Sequence, residues 1–492
     1  MGIIIKQSIK GAIWSYLGVA IGFITTAYFY PNYLTPEIIG LFALLLAWSE
    51  LFSQFSLLGF HGVISRLFPY FRNKENGHNG FLFIAFIVMI TGFLLFLVVF
   101  WLIRPWLIES NIEKSALFSG YVNILVPLTF FSLIFIFLDF FNKLLYNAVL
   151  GVFLKEFIQR VIIIGIVLLY ILGLLTPHAL ILVYAGAVSF KGAFMFFYLL
   201  FRKELNLRPQ PGFVDRKLRK EMISVALYSI LTGIGGSIVF RIDKIIINQV
   251  MGIEATGIYT IAFFFGTLVI LPSRTLLTIS NTLISEAWKR NDLATISDIY
   301  RKSCLNQFII AAFIFGGIWI NIDNILIILG PEYAEGKWVI FFIGLGYLID
   351  MATGANGNII ALSEYYRMAL WFLLILVVLT MVFMYLFIPA WGISGAAAAI
   401  AFVFLLNNFM RFVFLKSKYK MQPFTVKFIV VTFVALAAWA TTLLLPQLCL
   451  IPDIFIRSAV FTILFALMIY FLKVSEEIDR LVKQAANFIK QK

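Results

Sequence analysis

FRIDKIIINQV, residues 240–250, sets Arg241, Asp243 and Lys244 in a run that is otherwise apolar. At the centre of a membrane-spanning helix each such charge costs about 2.5–3.5 kcal/mol. On the surface of a soluble domain the same charges would be ordinary. Which solvent surrounds the segment therefore decides the fold.

The flanking sequence answers that question. Of 492 residues 62% are hydrophobic and 13% charged, with a mean hydropathy of +0.99. Soluble domains are about half apolar and about a quarter charged. A spanning helix needs about 20 mostly apolar residues, and such blocks recur along the whole chain. About fourteen are predicted, near 11–30, 38–60, 81–103, 118–140, 153–175, 178–201, 223–248, 256–278, 304–329, 338–362, 366–388, 392–415, 425–447 and 454–472. The expected fold class is an all-α polytopic membrane protein.

The net charge of +14 would suit a nucleic-acid partner if it were gathered on one surface. It is instead sorted by side. With the N-terminus placed in the cytoplasm, thirty of the 38 Lys and Arg residues fall on cytoplasmic segments and helix ends. Four (Arg104, Lys114, Lys337, Arg457) fall opposite, and four (Lys191, Arg241, Lys244, Arg274) lie within spans. This is the positive-inside bias. It predicts a multi-pass plasma-membrane protein with both termini cytoplasmic, and it argues against nucleic acid. The first apolar run is longer than the h-region of a signal peptide and lacks a small-x-small site before Pro31, so it is expected to stay as a span. Cys304 and Cys449 fall on opposite sides, which excludes a disulfide between them. His61, His78 and His178 lie at loops or helix edges, and no ligand spacing calls for a metal or other cofactor.

Shifting the chain by 217 residues lays YLTPEIIGLFALL (33–45) over VMGIEATGIYTIA (250–262), with Glu37 on Glu254 and Gly40 on Gly257. Six spans precede the seventh, so the repeats are parallel and related by an axis near the membrane normal. The predicted organisation is an N-terminal six-helix bundle over 1–201, a basic cytoplasmic linker over 202–222 and a second six-helix bundle over 223–415. Two further spans follow over 416–472. The tail, 473–492, puts Val474, Ile478, Leu481, Val482, Ala485 and Ile489 on one helical face, which predicts an amphipathic helix on the cytoplasmic leaflet.

Several ordered motifs carry a family resemblance: RIDKIIINQVMGIEATGIYTIA, then LPSRTLLTISNTLISEAWKRND, then ILGPEYAEG, and WGISGAAAAIA near 391–401. They resemble the polysaccharide transporters (Wzx-type O-antigen flippases) of the superfamily that also holds multidrug MATE exporters and lipid II flippases. Arg241, Asp243 and Lys244, then Gly252, Ala255, Gly257 and Tyr259, then Gly330, Pro331, Glu332 and Tyr333 fall on the family pattern. Lipid II flippases carry arginines in the first span and MATE exporters commonly an acid there, whereas this span has no charge between Lys10 and Pro31. The resemblance implies a MATE-like fold. The outward loops are short and poor in clustered acids, which argues against a membrane enzyme such as an oligosaccharide polymerase or lipid-sugar transferase. The resemblance also implies a flippase moving a polyprenyl-diphosphate-linked oligosaccharide by alternating access for O-antigen, capsule or exopolysaccharide synthesis. Membrane lipids would be partners, and polysaccharide polymerase or ligase machinery would be candidate partners. The rival is a cation-coupled small-molecule exporter of the same fold.

Charges inside spans mark functional sites by default. Gly233, Ser237, Arg241, Lys244 and Asn248 recur at steps of three and four and so share one stripe of the seventh span. Asp243 lies off that stripe. One expectation is that Arg241 and Lys244, with Arg274 and Lys191, face a cavity and bind the diphosphate while Asp243 anchors the helix. The other is that they form ion pairs with adjacent helices or snorkel to the interface. Asp243, Glu50 and Asp350 could pair with these cations, carry coupling protons, or bond to neighbouring Ser and Asn.

Overall fold

The computed structural model describes residues 2–73 and 75–475, and within them all side chains except those of 2–6, 8, 9, 274, 275 and 279. The amphipathic tail expected over 473–492 falls outside the described residues from 476 onward. Among the described residues there is no strand. Among the described residues eleven helices are long and apolar enough to cross a membrane, or twelve if the bent pair Gly336–Ala352 and Asn356–Leu362 forms one span. The tally does not reach fourteen, for two physical reasons. Residues 148–171 are broken by a π turn at Phe153–Ile158 between Ala148–Val152 and Gln159–Ile171. The 54-residue helix Tyr366–Tyr419 is interrupted at Trp391 and Gly392, where Gly392 takes φ 58°. Ring contacts between Phe383 and Phe402, at 4.8 Å, and between Phe372 and Phe414, at 5.9 Å, make its two arms antiparallel.

The chain divides into two compact units, Met1–Thr260 and Ile261–Lys492. In the first, α1 (Gly2–Ile24) runs into a π turn at Thr25–Phe29. There follow α2 (Pro36–Ser56), α3 (Phe60–Phe71), α4 (Phe81–Glu109), α5 (Leu125–Leu144), α6 (Gln159–Ile171), α7 (Pro177–Phe201) and α8 (Arg216–Met251). The next helix, α9 (Ile253–Thr267), begins in this unit. At twelve residues α3 is too short to span. It buries Phe60, Val63, Ile64, Leu67, Phe68 and Phe71 at alternating steps of three and one, the pattern of a one-faced helix. Together with Phe81, Phe137 and Phe141 these side chains form an aromatic core.

The repeat seen in the sequence is a contact in the fold. A Cβ built on Gly40 would strike the Ile253 carbonyl, and one built on Gly257 would strike the Pro36 carbonyl. Each would also lie 3.1 Å from the other glycine's nitrogen. Shifting residue 36 by 217 gives 253, and shifting 40 gives 257, so the contact is reciprocal under the sequence register. Small residues let helix backbones approach closely in lipid, where tight packing and not water exclusion holds helices together.

The second unit holds α10 (Ser273–Lys289), α11 (Leu293–Ile320), α12 (Gly336–Ala352), α13 (Asn356–Leu362), α14 (Tyr366–Tyr419), α15 (Val426–Leu443) and α16 (Leu450–Phe471). Asp292 caps α11 by accepting from the Thr295 backbone N at 2.9 Å and its hydroxyl at 2.6 Å. Phe461 and Phe465 of α16 pack with Phe313 of α11 in the core shared with α15.

Candidate functional site

The charged residues of the first unit are positioned by α8. Its N-terminus is fixed by Asp215, whose carboxylate accepts from the Leu218 backbone N at 2.6 Å. Its far end is fastened by Asn248, which donates to Asn111 Oδ1 at 2.6 Å and accepts from Ser115 Oγ at 2.5 Å. Lys114 Nζ adds a bond to the Val250 carbonyl at 2.7 Å. Between these two anchors the three charges of the opening segment take different fates.

Arg241 reaches across to α2. Its Nε and Nη2 both approach Glu50 Oε2, at 2.6 and 2.5 Å. One carboxylate oxygen thus takes both donors, and Arg241 Nη1 and Glu50 Oε1 have no hydrogen-bond partner among the described residues. The two side chains keep 30% and 29% exposure. The pair is partly desolvated and partly open.

Lys244 and Asp243 instead form a closed group. Asp243 Oδ1 accepts from the Lys244 backbone N at 2.8 Å. Oδ2 lies 3.4 Å from Lys244 Nζ and accepts from the Tyr259 hydroxyl at 3.1 Å. Asp243 is 1% exposed, Lys244 6% and Tyr259 fully buried. Here the ordered motif acquires a physical meaning, because its Asp-Lys element and its Tyr meet and tie α8 to the start of α9. The shared stripe of Arg241 and Lys244 resolves into one open pair and one buried triad.

Lys191, in the middle of α7, is also buried. Its Nζ donates to Gln159 Oε1 at 3.0 Å and sits 5.3 Å from the centre of the Phe135 ring. Gly192 permits this approach, since a Cβ there would lie 2.9 Å from the Phe131 carbonyl carbon of α5. Two neighbours escaped the sequence reading. Gln159 is neutral and gave no charge signal. Arg160 counts among the basic residues of the cytoplasmic helix ends, and it donates to the Gly18 carbonyl at 2.6 Å and to Glu156 at 2.9 Å, holding α1 against α6.

The other two expected residues belong to the second unit. Arg274 lies in the first turn of α10, and its side chain is outside the described set. Asp350 stands at the bend between α12 and α13. Its Oδ1 accepts from Asn408 Nδ2 at 2.9 Å, and Asn408 Oδ1 accepts from Thr353 and Asn356, each at 2.9 Å. This network satisfies polar groups at a bend of 50° that would otherwise leave them bare in lipid.

A cation held half-open by a carboxylate, inside an apolar helical unit, is suited to binding an anion, and the sequence family bears on which one. Residues 8–284 match the family model described as polysaccharide biosynthesis protein. The chain belongs to this family. No curated protein matches the chain. Among solved structures, this chain is similar to the lipid II flippase MurJ in an inward closed conformation, at TM-score 0.76 and 12% identity. The match covers 95% of this chain and 98% of that one. It is also similar to a multidrug resistance MATE family transporter of the MOP superfamily in an inward-facing conformation. There the TM-score is 0.66 at 13% identity, over 82% of this chain and 98% of that one. At these identities the likeness is one of fold: a helical membrane protein of the MurJ and MATE type.

Proposed function

We propose that this chain is a flippase that carries a polyprenyl-diphosphate-linked oligosaccharide across the plasma membrane by alternating access, for O-antigen, capsule or exopolysaccharide synthesis. The observation that supports it is the partly exposed Arg241–Glu50 pair in a member of the polysaccharide biosynthesis family. A diphosphate cannot enter hydrocarbon without compensation, and a guanidinium presents planar donors to phosphate oxygens. Arg241 is the first contact in this reading. Lys191, held by a neutral amide and an aromatic face, supplies a second positive charge nearby in the fold. Lys244, enclosed by Asp243 and Tyr259, serves packing instead. In this reading both termini lie in the cytoplasm, which the distribution of Lys and Arg supports.

The experiment is complementation of glycan export in cells lacking the native transporter, at matched membrane abundance. Arg241→Ala is expected to lose most export. Arg241→Lys keeps the charge but not the fork and is expected to retain part of it. Parental export by Arg241→Ala would refute the assignment. Fold likeness to a multidrug transporter favours a second reading, a small-molecule exporter. Drug resistance conferred by the chain with no glycan phenotype would establish that reading instead.

A further inference from the structure

The second unit carries a pocket that the diphosphate reading does not use. It lies where α11, α15 and α16 meet, and it encloses about 450 Å³, within the range of ligand sites. Trp319 and Trp439 line it with Asp323, Asn324, Lys337 and Gln447. These positions fall at the ends of the helices away from the basic segments near Lys289, Arg301 and Lys427, hence on the outer side in the proposed topology.

The base of the pocket is a rigid brace. Asp453 Oδ2 accepts from Arg457 Nε and from Asn324 Nδ2, both at 2.7 Å, and Oδ1 accepts from the Leu448 backbone N at 3.2 Å. Arg457 also donates to the carbonyls of Thr442, Leu445 and Pro446, at 2.7, 3.4 and 3.3 Å. One buried ion pair thereby fixes the whole 443–450 connection. At the rim Lys337 Nζ meets Asp323 at 2.7 Å. Each cation in the pocket is thus matched by a carboxylate, and no net charge is left to attract an anion.

What remains open is neutral hydrogen-bonding capacity beside aromatic surface. The Gln447 amide has no protein partner among the described residues, and Asn324 spends its NH2 on Asp453 while its carbonyl oxygen stays unused. An amide offers both donors and an acceptor, and an indole offers a broad apolar face with a polar edge. That combination suits a ligand whose ring edges are hydroxyls and whose faces are C–H. We infer that this pocket is an outer subsite for one neutral sugar residue, held between Trp319 and Trp439 and hydrogen-bonded by Gln447 and Asn324. The choice of a sugar rests on the proposed function, for which the subsite would receive part of the glycan after passage.

The test is saturation-transfer NMR on the full chain in nanodiscs. The probes are glucose, galactose, N-acetylglucosamine and N-acetylgalactosamine, with glycerol 1-phosphate as a headgroup competitor. At least one sugar should bind at about millimolar strength, a typical level for one small neutral ligand. Trp439→Ala and Gln447→Ala should each weaken it at least tenfold. Trp371→Ala, at an exposed tryptophan elsewhere in this unit, should leave it unchanged. Gln447 is exposed on a loop, so its replacement does not threaten folding. Silence from all four sugars, or binding that survives both substitutions, would overturn the assignment. Displacement by glycerol 1-phosphate would also overturn it and give the pocket to a phospholipid headgroup. Binding is read without transport, so the outcome is independent of the Arg241 experiment.

Discussion

Gly40 and Gly257, 217 residues apart, meet backbone to backbone at equivalent points of two sequence repeats. Because the contact is reciprocal, each glycine faces the carbonyl that the repeat assigns to the other. Neither carbonyl can move without breaking its own helix. Gly40→Val and Gly257→Val are therefore expected to destabilise the protein to a similar extent, by about 1–3 kcal/mol each, the usual cost of overpacking. Thermal melting followed by size exclusion would measure this. A large effect at one position with none at the other would contradict the reciprocity.

The triad of Asp243, Lys244 and Tyr259 makes a second prediction. Asp243→Ala leaves the Lys244 ammonium buried without its carboxylate, which costs about 3–5 kcal/mol. Tyr259→Phe removes only one donor to Asp243 and should cost about 1–3 kcal/mol. The double change Asp243→Leu with Lys244→Met removes both charges and should recover much of the stability lost in Asp243→Ala. Recovery is read as restored membrane abundance and melting temperature. A double variant no better than Asp243→Ala would show that the carboxylate matters through some other contact.

Glu50→Gln keeps the shape of the partner and removes its charge. The Arg241–Glu50 pair is partly exposed, so its strength is of the order of 1 kcal/mol or less. Freed of that competition, Arg241 should bind inorganic diphosphate up to about fivefold more tightly, as isothermal calorimetry on the detergent-purified chain would show. Unchanged or weaker affinity would mean that the anion does not share Arg241 with Glu50.

Stability should also respond to pH through His61, on the short helix α3 outside the spans. Its Nδ1 is buried without a hydrogen-bond partner among the described residues, and burial lowers the imidazole pKa below its ordinary value. The folded chain thus takes up this proton less readily than the unfolded chain does. Below the unfolded value of about 6.5 the unfolded state gains protons first, so this contribution to stability falls as the solution is acidified. Melting between pH 7.5 and 5.5 should show a drop that shrinks in His61→Gln. An identical drop in both proteins would assign the acid sensitivity elsewhere.

The sequence made the all-helical membrane class legible, because it depends on composition, and the 217-residue register placed Gly40 and Gly257 at equivalent points. Pairing was less legible. Helical phase put Lys244 with Arg241, but a lysine stem is long and can turn to the adjacent carboxylate, which its own backbone N–H already orients. Lys191 found its partner 32 positions away in an uncharged glutamine, and Arg160 found a carbonyl 142 positions away. Neither a neutral amide nor a backbone oxygen leaves a trace in a charge pattern. The count of spans was blurred for a related reason, since the π turn at Phe153–Ile158 and the break at Trp391–Gly392 interrupt helices without interrupting the apolar composition.

The two π turns of the first unit have a mechanical consequence. One ends α1 at Thr25–Phe29 and the other precedes α6 at Phe153–Ile158, where Glu156 and Arg160 touch Gly18. A π turn holds one more residue than the helix around it and so stores a residue of slack. Returning that residue to α-helical winding rotates everything beyond it by about 100° and lengthens the regular rod by about 1.5 Å, with the hydrogen-bond ladder re-formed one step along. A seam with slack on both sides can change its register as a ratchet does, tooth by tooth, without melting either helix. The slack of this unit is thus gathered on the two sides of a single seam, where α1 meets α6.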